Sequence, residues 1–233
     1  MMIRGIVNEQ EAKTLHRHCC EVHKEHYVAD KLEEFIQVVN SKLESLNMCI
    51  RTRASEDDGM PYYALVNTAN TELTRMSSDY ADNELELFRQ TLDLIMTSDN
   101  SMASSTDILN SADSLQTRKL TKSAAECLLK RLVSDGWLVE KQGDYSLSTR
   151  GVMEMEPYIR TMYDDEQVKV CVVCHCLAFK CQICANPQCT VKIHNPCAEK
   201  YFKKKPVQKC PGCSEIWPNK VRECRQSVSQ RHR

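Results

Sequence analysis

The sequence predicts a mainly α-helical protein with small β-hairpins: two winged-helix domains in tandem, then a small cross-brace domain held by two zinc ions. Three observations carry this reading. Twice along the chain, helical periodicity gives way to two β-leaning runs separated by turn-forming residues. Near the end, cysteines and one histidine stand in pairs at metal-ligand spacing. No apolar run approaches the roughly 18 residues that cross a bilayer, and MMIRGIVNEQ lacks the apolar core of a signal peptide.

Residues 1–70 read as the first winged helix. Asn8 is placed to cap a helix running through His23. From Val28 to Leu46, Leu32, Phe35, Ile36, Val39, Leu43 and Leu46 recur at helical intervals, with Asp30, Lys31, Glu33 and Glu34 on the other side. Met48–Arg53 and Tyr62–Thr68 are β-leaning runs parted by SEDDGMP, so helix, helix and hairpin follow in order.

Residues 80–165 repeat the pattern. Leu85, Phe88, Leu92 and Ile95 mark a helix after Asp82, SSTDIL opens another at Ser104 or Ser105, and Thr121–Val133 forms a third through Ala125, Leu128, Leu129 and Leu132. WLVE, the turn KQGD and YSLS make the second hairpin, with Gly143 suited to the turn, and a closing helix runs from Thr149 to about Tyr163. No catalytic constellation assembles in this stretch. His16, His18, His23 and His26 come nearest, on two helix faces, but no acidic or thiol partner recurs at fixed spacing, so they read as surface or packing histidines. Cys19, Cys20, Cys49 and Cys127 read as small buried or half-buried thiols.

Residues 170–218 form the zinc domain. The ligands Cys171, Cys174, Cys184, Cys189, His194, Cys197, Cys210 and Cys213 are separated by 2, 9, 4, 4, 2, 12 and 2 residues. Two intervening residues let one tight turn present two donors to one ion. If the pairs alternate, Cys171, Cys174, His194 and Cys197 hold one ion, and Cys184, Cys189, Cys210 and Cys213 the other. Four protein donors per ion leave no open position for an activated water, which makes the metals structural and disfavours a zinc hydrolase or deaminase. A segment this short buries too little apolar surface to fold alone, so the metal supplies free energy on the order of 10 kcal/mol per site. Cys181 competes with Cys189 as a ligand; the Cys184 and Cys189 choice keeps the short, regular gap to His194.

Ten of the fourteen cysteines lie between Cys171 and Cys224, which favours metal over disulfides and a reducing compartment, cytosol or nucleus. The net charge of −1 conceals an asymmetry: 19 basic and 29 acidic residues through Lys169, against 12 and 3 beyond it. An acidic first part is poorly suited to holding DNA by itself. The basic residues Lys203–Lys205 and the tail at 219–233 read as a solvated surface ahead of a contact to DNA or a nuclear importer.

At the zinc ligands the chain resembles the variant RING fingers of the non-SMC element 1 family, subunits of the chromosome-maintenance complex built on the fifth and sixth SMC proteins. VADKLEEFIQVVNSKLESL, EDDGMPYYALVN, DNELELFRQTLDLI, ASSTDILN and GWLVEKQGDYSL resemble that family as well, so the likeness covers nearly the whole chain. It implies two winged helices and a RING-like domain. The implied activity is that of a RING-type ubiquitin-protein ligase in DNA repair by recombination, nuclear and chromosome-associated. The implied partners are a MAGE-family winged-helix subunit, a kleisin, the SMC complex and a ubiquitin-conjugating enzyme, with DNA met through the complex and no membrane involved.

Carried over by position, the conjugating-enzyme docking surface is Val173, Tyr201, Phe202 and Pro211, with no catalytic residue; the competing reading puts Val173, Tyr201 and Phe202 in the domain's own core. Two departures stand out. Ser214 and Glu215 follow the last ligand where many active RINGs have a basic residue, which implies weak activity alone. The resemblance also places RGIVNEQE near the end of that family's first helix, so the first winged helix is expected to lack it. The alternatives are a zinc-braced assembly subunit without catalysis and a PHD-like histone-tail reader. The latter is disfavoured by Gln208, where PHD fingers usually carry tryptophan.

Overall fold

The computed structural model describes residues 5–68, 79–164, 166–203 and 205–217; the basic tail at 219–233, with Cys224, lies outside them. Among the described residues the chain is mixed α/β, with seven α-helices and three small antiparallel sheets, rather than mainly α. The difference arises from strands of two or three residues, too short to show a period of two in the sequence.

The first element among the described residues is such a strand, β1 (Ile6–Asn8), where the resemblance implies the end of a helix. Alternation decides its conformation: Val7 is buried between two half-buried neighbours, and the strand pairs antiparallel with β3 from Ile6–Ala64 to Asn8–Tyr62. Asn8 then caps α1 (Glu9–His23) in a reciprocal box. The Glu11 amide donates to Asn8 Oδ1 at 2.9 Å, and the Asn8 amide donates to Glu11 Oε2 at 3.0 Å. The predicted helix from Val28 to Leu46 is α2 (Leu32–Leu43) with a 3₁₀ turn at each end.

β2 (Met48–Ala54) and β3 (Pro61–Asn67) complete a sheet of order β1-β3-β2. Asn40 of α2 satisfies the open edge of β2, accepting from the Ile50 amide at 2.7 Å and donating to its carbonyl at 3.0 Å. Val7, Ala12, Leu32, Ile36 and Tyr63 form the core beneath.

The second layer repeats this plan with α3 (Asp82–Thr97), β4 (Ala103–Ser104), α4 (Ser105–Ser111), α5 (Lys122–Ser134), β5 (Leu138–Lys141), β6 (Asp144–Leu147) and α6 (Thr149–Met162). The sheet order is β4-β6-β5. Ser104, Thr121 and Ser148 cap the helices that follow them through their side-chain oxygens. Gln142 (φ 56°) and Gly143 (φ 87°) make the tight β5–β6 turn. Phe88, Leu92, Ile95, Ile108, Leu129, Leu132, Met155 and Ile159 are almost wholly buried.

The described residues within 5–55 and 60–168 form one compact unit. Met153 of α6 packs against Ala64 and Val66 of β3, and Arg53, buried in β2, pairs with Glu156 at 3.6 Å, so the regions separated in the sequence near residues 70–80 share a core. Residues 56–59 and the described residues from 169 to 217 form the second unit, which contains β7 (Cys181–Ile183), β8 (Lys192–His194) and α7 (Asn195–Phe202). No helix among the described residues is long and apolar enough to cross a membrane.

Candidate metal centre

Both CxxC pairs fold into the same turn. The Cys171 amide donates to the Cys176 carbonyl at 3.0 Å, and the Cys210 amide to the Glu215 carbonyl at 2.8 Å. The His175 and Ser214 amides return to the Cys171 and Cys210 carbonyls at 2.8 and 3.0 Å. Each of these two residues, one past the second cysteine, takes a left-handed conformation (φ 59° and 63°), which turns the chain back on itself. Single bridges, Val170–Leu177 and Lys209–Ile216, close the two knuckles.

The β7–β8 pair and α7 bring in the remaining donors. His194 ends β8 and stands at the N-cap of α7, while Pro196 in the first turn pre-sets the helix that presents Cys197. Cys184 and Cys189 flank the loop between the strands, where Cys184 donates its amide to the Val191 carbonyl at 3.2 Å.

Two four-donor clusters result: Cys171, Cys174, His194 and Cys197, and Cys184, Cys189, Cys210 and Cys213. Within each, all donor atoms lie within 4.8 Å of one another. Cys174 Sγ is 3.3 Å and Cys197 Sγ 3.8 Å from His194 Nδ1. Cys184 and Cys213 are 3.5 Å apart at sulfur, and Cys189 and Cys210 3.7 Å. A tetrahedral ion with metal–sulfur bonds of about 2.3 Å sets its sulfurs about 3.8 Å apart, so both clusters fit a thiophilic ion in closed tetrahedral coordination.

The electrostatics of the donors by themselves favour protons at several positions. Hydrogen bonding from Cys197 outweighs burial and holds Cys171 far below the usual thiol range, while Cys171 and burial push Cys197 far above it. Burial disfavours the His194 imidazolium, but the Cys171 thiolate and the Glu56 carboxylate raise it to about 11. In the other cluster, burial works against the Cys210 thiolate, yet the amides of Cys213 and Gly212 bring it down to about 7. The Asn186 amide favours the Cys184 thiolate, but burial and the thiols of Cys213, Cys210 and Cys189 raise it to about 12. The protein alone favours the Cys171 and Cys210 thiolates; a bound dication would supply the charge that lets Cys184, Cys189 and Cys197 ionise.

Cys181 belongs to neither cluster. It sits opposite His194 in the β7–β8 register, and burial raises its thiol pKa. Of the four residues assigned to docking, Val173, Tyr201 and Pro211 line one groove of about 510 Å³ together with Val172, Val191 and Gly212. Phe202 does not: at 2 % exposure it packs in the unit's core, 5.6 Å from the Trp217 ring. Adjacent residues on a helix point about 100° apart, and here Phe202 turns into the core while half-buried Tyr201, its ring 5.0 Å from that of Phe202, stays at the groove. Trp217 is core as well, its Nε1 donating to Gln182 Oε1 at 2.7 Å.

Among the described residues these are the two groups of three or more donors with metal-binding geometry. His16 is buried and stacked on Phe35 with ring centroids 4.5 Å apart, as a packing histidine should be; His18, His23 and His26 are exposed. Cys127 is exposed rather than buried or half-buried. The residue that sequence reasoning missed is Glu56. It lies in the acidic SEDDGMP turn, and no local pattern ties that turn to a ligand 138 residues later.

Comparison with known proteins bears on the whole chain. Residues 1–155 match the family model described as "Nse1 non-SMC component of SMC5-6 complex", and residues 171–213 match a "RING-like domain". The "Non-structural maintenance of chromosomes element 1 homolog" of Xenopus laevis is 46% identical over 230 residues, covering 99% of this chain and 84% of that one. The human homolog is 44% identical over 221 residues, covering 95% and 82%. A chain of a solved "Nse1-Nse3-Nse4 complex" superposes with a TM-score of 0.84 at 47% identity, covering 94% of each chain.

Proposed function

The chain belongs to the Nse1 family of non-SMC components of the SMC5-6 complex, and from that membership we propose that it is a RING-type ubiquitin-protein ligase subunit of such a complex. Its setting is DNA repair by recombination on nuclear chromosomes. We read each three-stranded layer with its helices as a winged helix. The ions held by the two clusters are zinc, on the chemistry of three thiolates with an imidazole and of four thiolates.

The observation that carries this reading is the groove. Val173 from one knuckle, Pro211 from the other and Tyr201 from α7 converge on it from segments that different metal clusters hold in place. A RING ligase forms no covalent intermediate: it docks a conjugating enzyme and positions the ubiquitin thioester for attack by a lysine, so its contribution is orientation. Zinc shapes that groove and takes no part in bond making, because every coordination position is filled by protein.

The partners are a MAGE-family subunit and a kleisin, corresponding to the Nse3 and Nse4 named with the structural relative, the SMC proteins, and DNA through the complex. One observation favours a second reading, an assembly subunit whose zinc unit serves as a brace: exposed Ser214 and Glu215, not a basic residue, follow the final ligand. It fits weak transfer in isolation and a need for the MAGE partner. A histone-tail reader is disfavoured by the RING-like match and by Trp217 being spent in the core.

The test is ubiquitin discharge from a loaded conjugating enzyme, with the MAGE subunit present. Val173→Ala should slow discharge about tenfold, the size of a truncated interface anchor. Metal content should stay at two ions. Discharge at the wild-type rate would leave the brace reading in its place.

A further inference from the structure

The first metal cluster is backed by a residue that comes from far outside its own sequence. His194 turns Nδ1 toward the thiols of Cys174 and Cys197, which leaves Nε2 to carry the proton. That nitrogen faces the Leu177 carbonyl at 2.9 Å and Glu56 Oε1 at 3.2 Å. The other oxygen of Glu56 accepts from the Phe179 and Lys180 amides at 3.0 and 2.5 Å. One carboxylate therefore closes a ring with the imidazole and the backbone of the strip that follows Cys171 and Cys174.

The neighbours of Glu56 secure this placement. Lys180 Nζ holds both oxygens of Asp57 at 2.7 and 2.8 Å. Gly59, at φ +69°, lies where an added Cβ would come within 2.8 Å of Pro196, the residue between the ligands His194 and Cys197. Residues 56–59 are the tip of the β2–β3 hairpin, yet they fold as part of the metal unit. The second cluster draws its support from its own vicinity, as in the Gly212 amide donating to Cys210 Sγ at 3.4 Å.

We propose that Glu56 is a positioning residue for the metal at Cys171, Cys174, His194 and Cys197, fixing the tautomer and plane of His194 so that Nδ1 faces the ion. Retention of this ion, and not of the one at Cys184, Cys189, Cys210 and Cys213, then depends on the hairpin tip. The inference rests on the reading of the clusters as metal sites and is independent of ubiquitin transfer. Loss of a carboxylate behind a metal-bound histidine weakens metal binding by about 10- to 100-fold.

The experiment uses the full chain loaded with Co²⁺, whose visible bands distinguish a three-sulfur, one-nitrogen site from a four-sulfur site, followed by timed release to a chelator. Glu56→Gln is the informative variant. It keeps an oxygen for the Phe179 and Lys180 amides but sets an amide NH₂, or no charge, against the Nε2 proton. The expected result is that the three-sulfur band shifts and that ion leaves at least about tenfold faster, with the four-sulfur band and its release unchanged.

Glu56→Ala should do the same to a larger degree. Wild-type spectra and release in Glu56→Gln would overturn the proposal, as would equal acceleration at both sites in either variant, which would make Glu56 a general support of folding. A wild-type chain that binds no cobalt or zinc would instead overturn the metal reading itself.

Discussion

In the helical unit, Phe88, Leu92, Ile95, Leu132, Met155 and Ile159 fill an interior that excludes solvent, and side-chain oxygens cap the helices above it. In the metal unit, three of the nine core residues, Cys171, Cys184 and Cys210, are themselves candidate ligands. Its helix α7 starts at His194 with no side-chain cap. The first unit is held by what its residues lose to water, and the second has donors placed to be held by what they give to a cation. The same residue type therefore means different things in each: Cys20, buried in α1, is a small apolar group, whereas Cys210 is a charge carrier.

Metal removal is the largest way to break this comparison. Excess chelator should unfold the metal unit outright, because ligation there stands in for folding free energy on the order of 10 kcal/mol per ion. The helical unit should persist. The two tryptophans report separately: Trp217 lies in the metal unit's core and Trp137 is buried beside Phe88 in the other. In a Trp137→Phe background the fluorescence should shift to that of exposed indole on chelation, and in a Trp217→Phe background it should not. Movement of both signals together would mean that the two units do not differ in the way argued.

The complementary change falls in the helical unit. Leu132, 1 % exposed on α5, packs in its core, and Leu132→Ala should cost about 2–5 kcal/mol through lost burial and the cavity left behind. The expected signature is a lower thermal midpoint of the helical signal, with two metal ions still bound per chain by elemental analysis. A variant that loses metal in proportion to its destabilisation would erase the distinction.

How much of this was legible in sequence follows the same division. The caps at Asn8, Ser104 and Thr121 and the hairpin turn at Gly143 are local devices, and each stands where the residue pattern put it. The grouping of the eight donors into two clusters was legible because spacing is itself the signal. β1 and β4 were not, since strands of three and two residues are defined by their partners β3 and β6 and not by a period. Phe202 was misassigned because an aromatic pair on a helix does not declare which ring faces inward; packing against Trp217 decides it. Glu56 was invisible for the strongest reason: its role exists only where the hairpin tip meets residues 123 and 124 positions further along.

The smallest expected effect concerns how the helices begin. Thr121 Oγ1 accepts from the Ala124 amide at 3.2 Å at the start of α5, satisfying one of the donors that a helix N-terminus leaves over. Thr121→Ala removes that acceptor on an exposed surface, where water replaces it in part, so the cost should be about 1 kcal/mol. It should appear as a lower urea midpoint of the helical unit with an unchanged slope, because the area exposed on unfolding does not change. The matching position in α7 is His194, whose side chain is directed to the metal cluster and not to the helix amides. At α5 the hydroxyl fixes the first turn at the cost of one polar side chain; at α7 a bound ion would fix it by holding both His194 and Cys197. Chelation should therefore fray α7 from its first turn while leaving α5 intact, and Thr121→Ala should weaken α5 with no effect on metal release. Amide hydrogen exchange resolved to the first turns of the two helices reads both outcomes, and protection lost at α7 in Thr121→Ala would contradict the assignment.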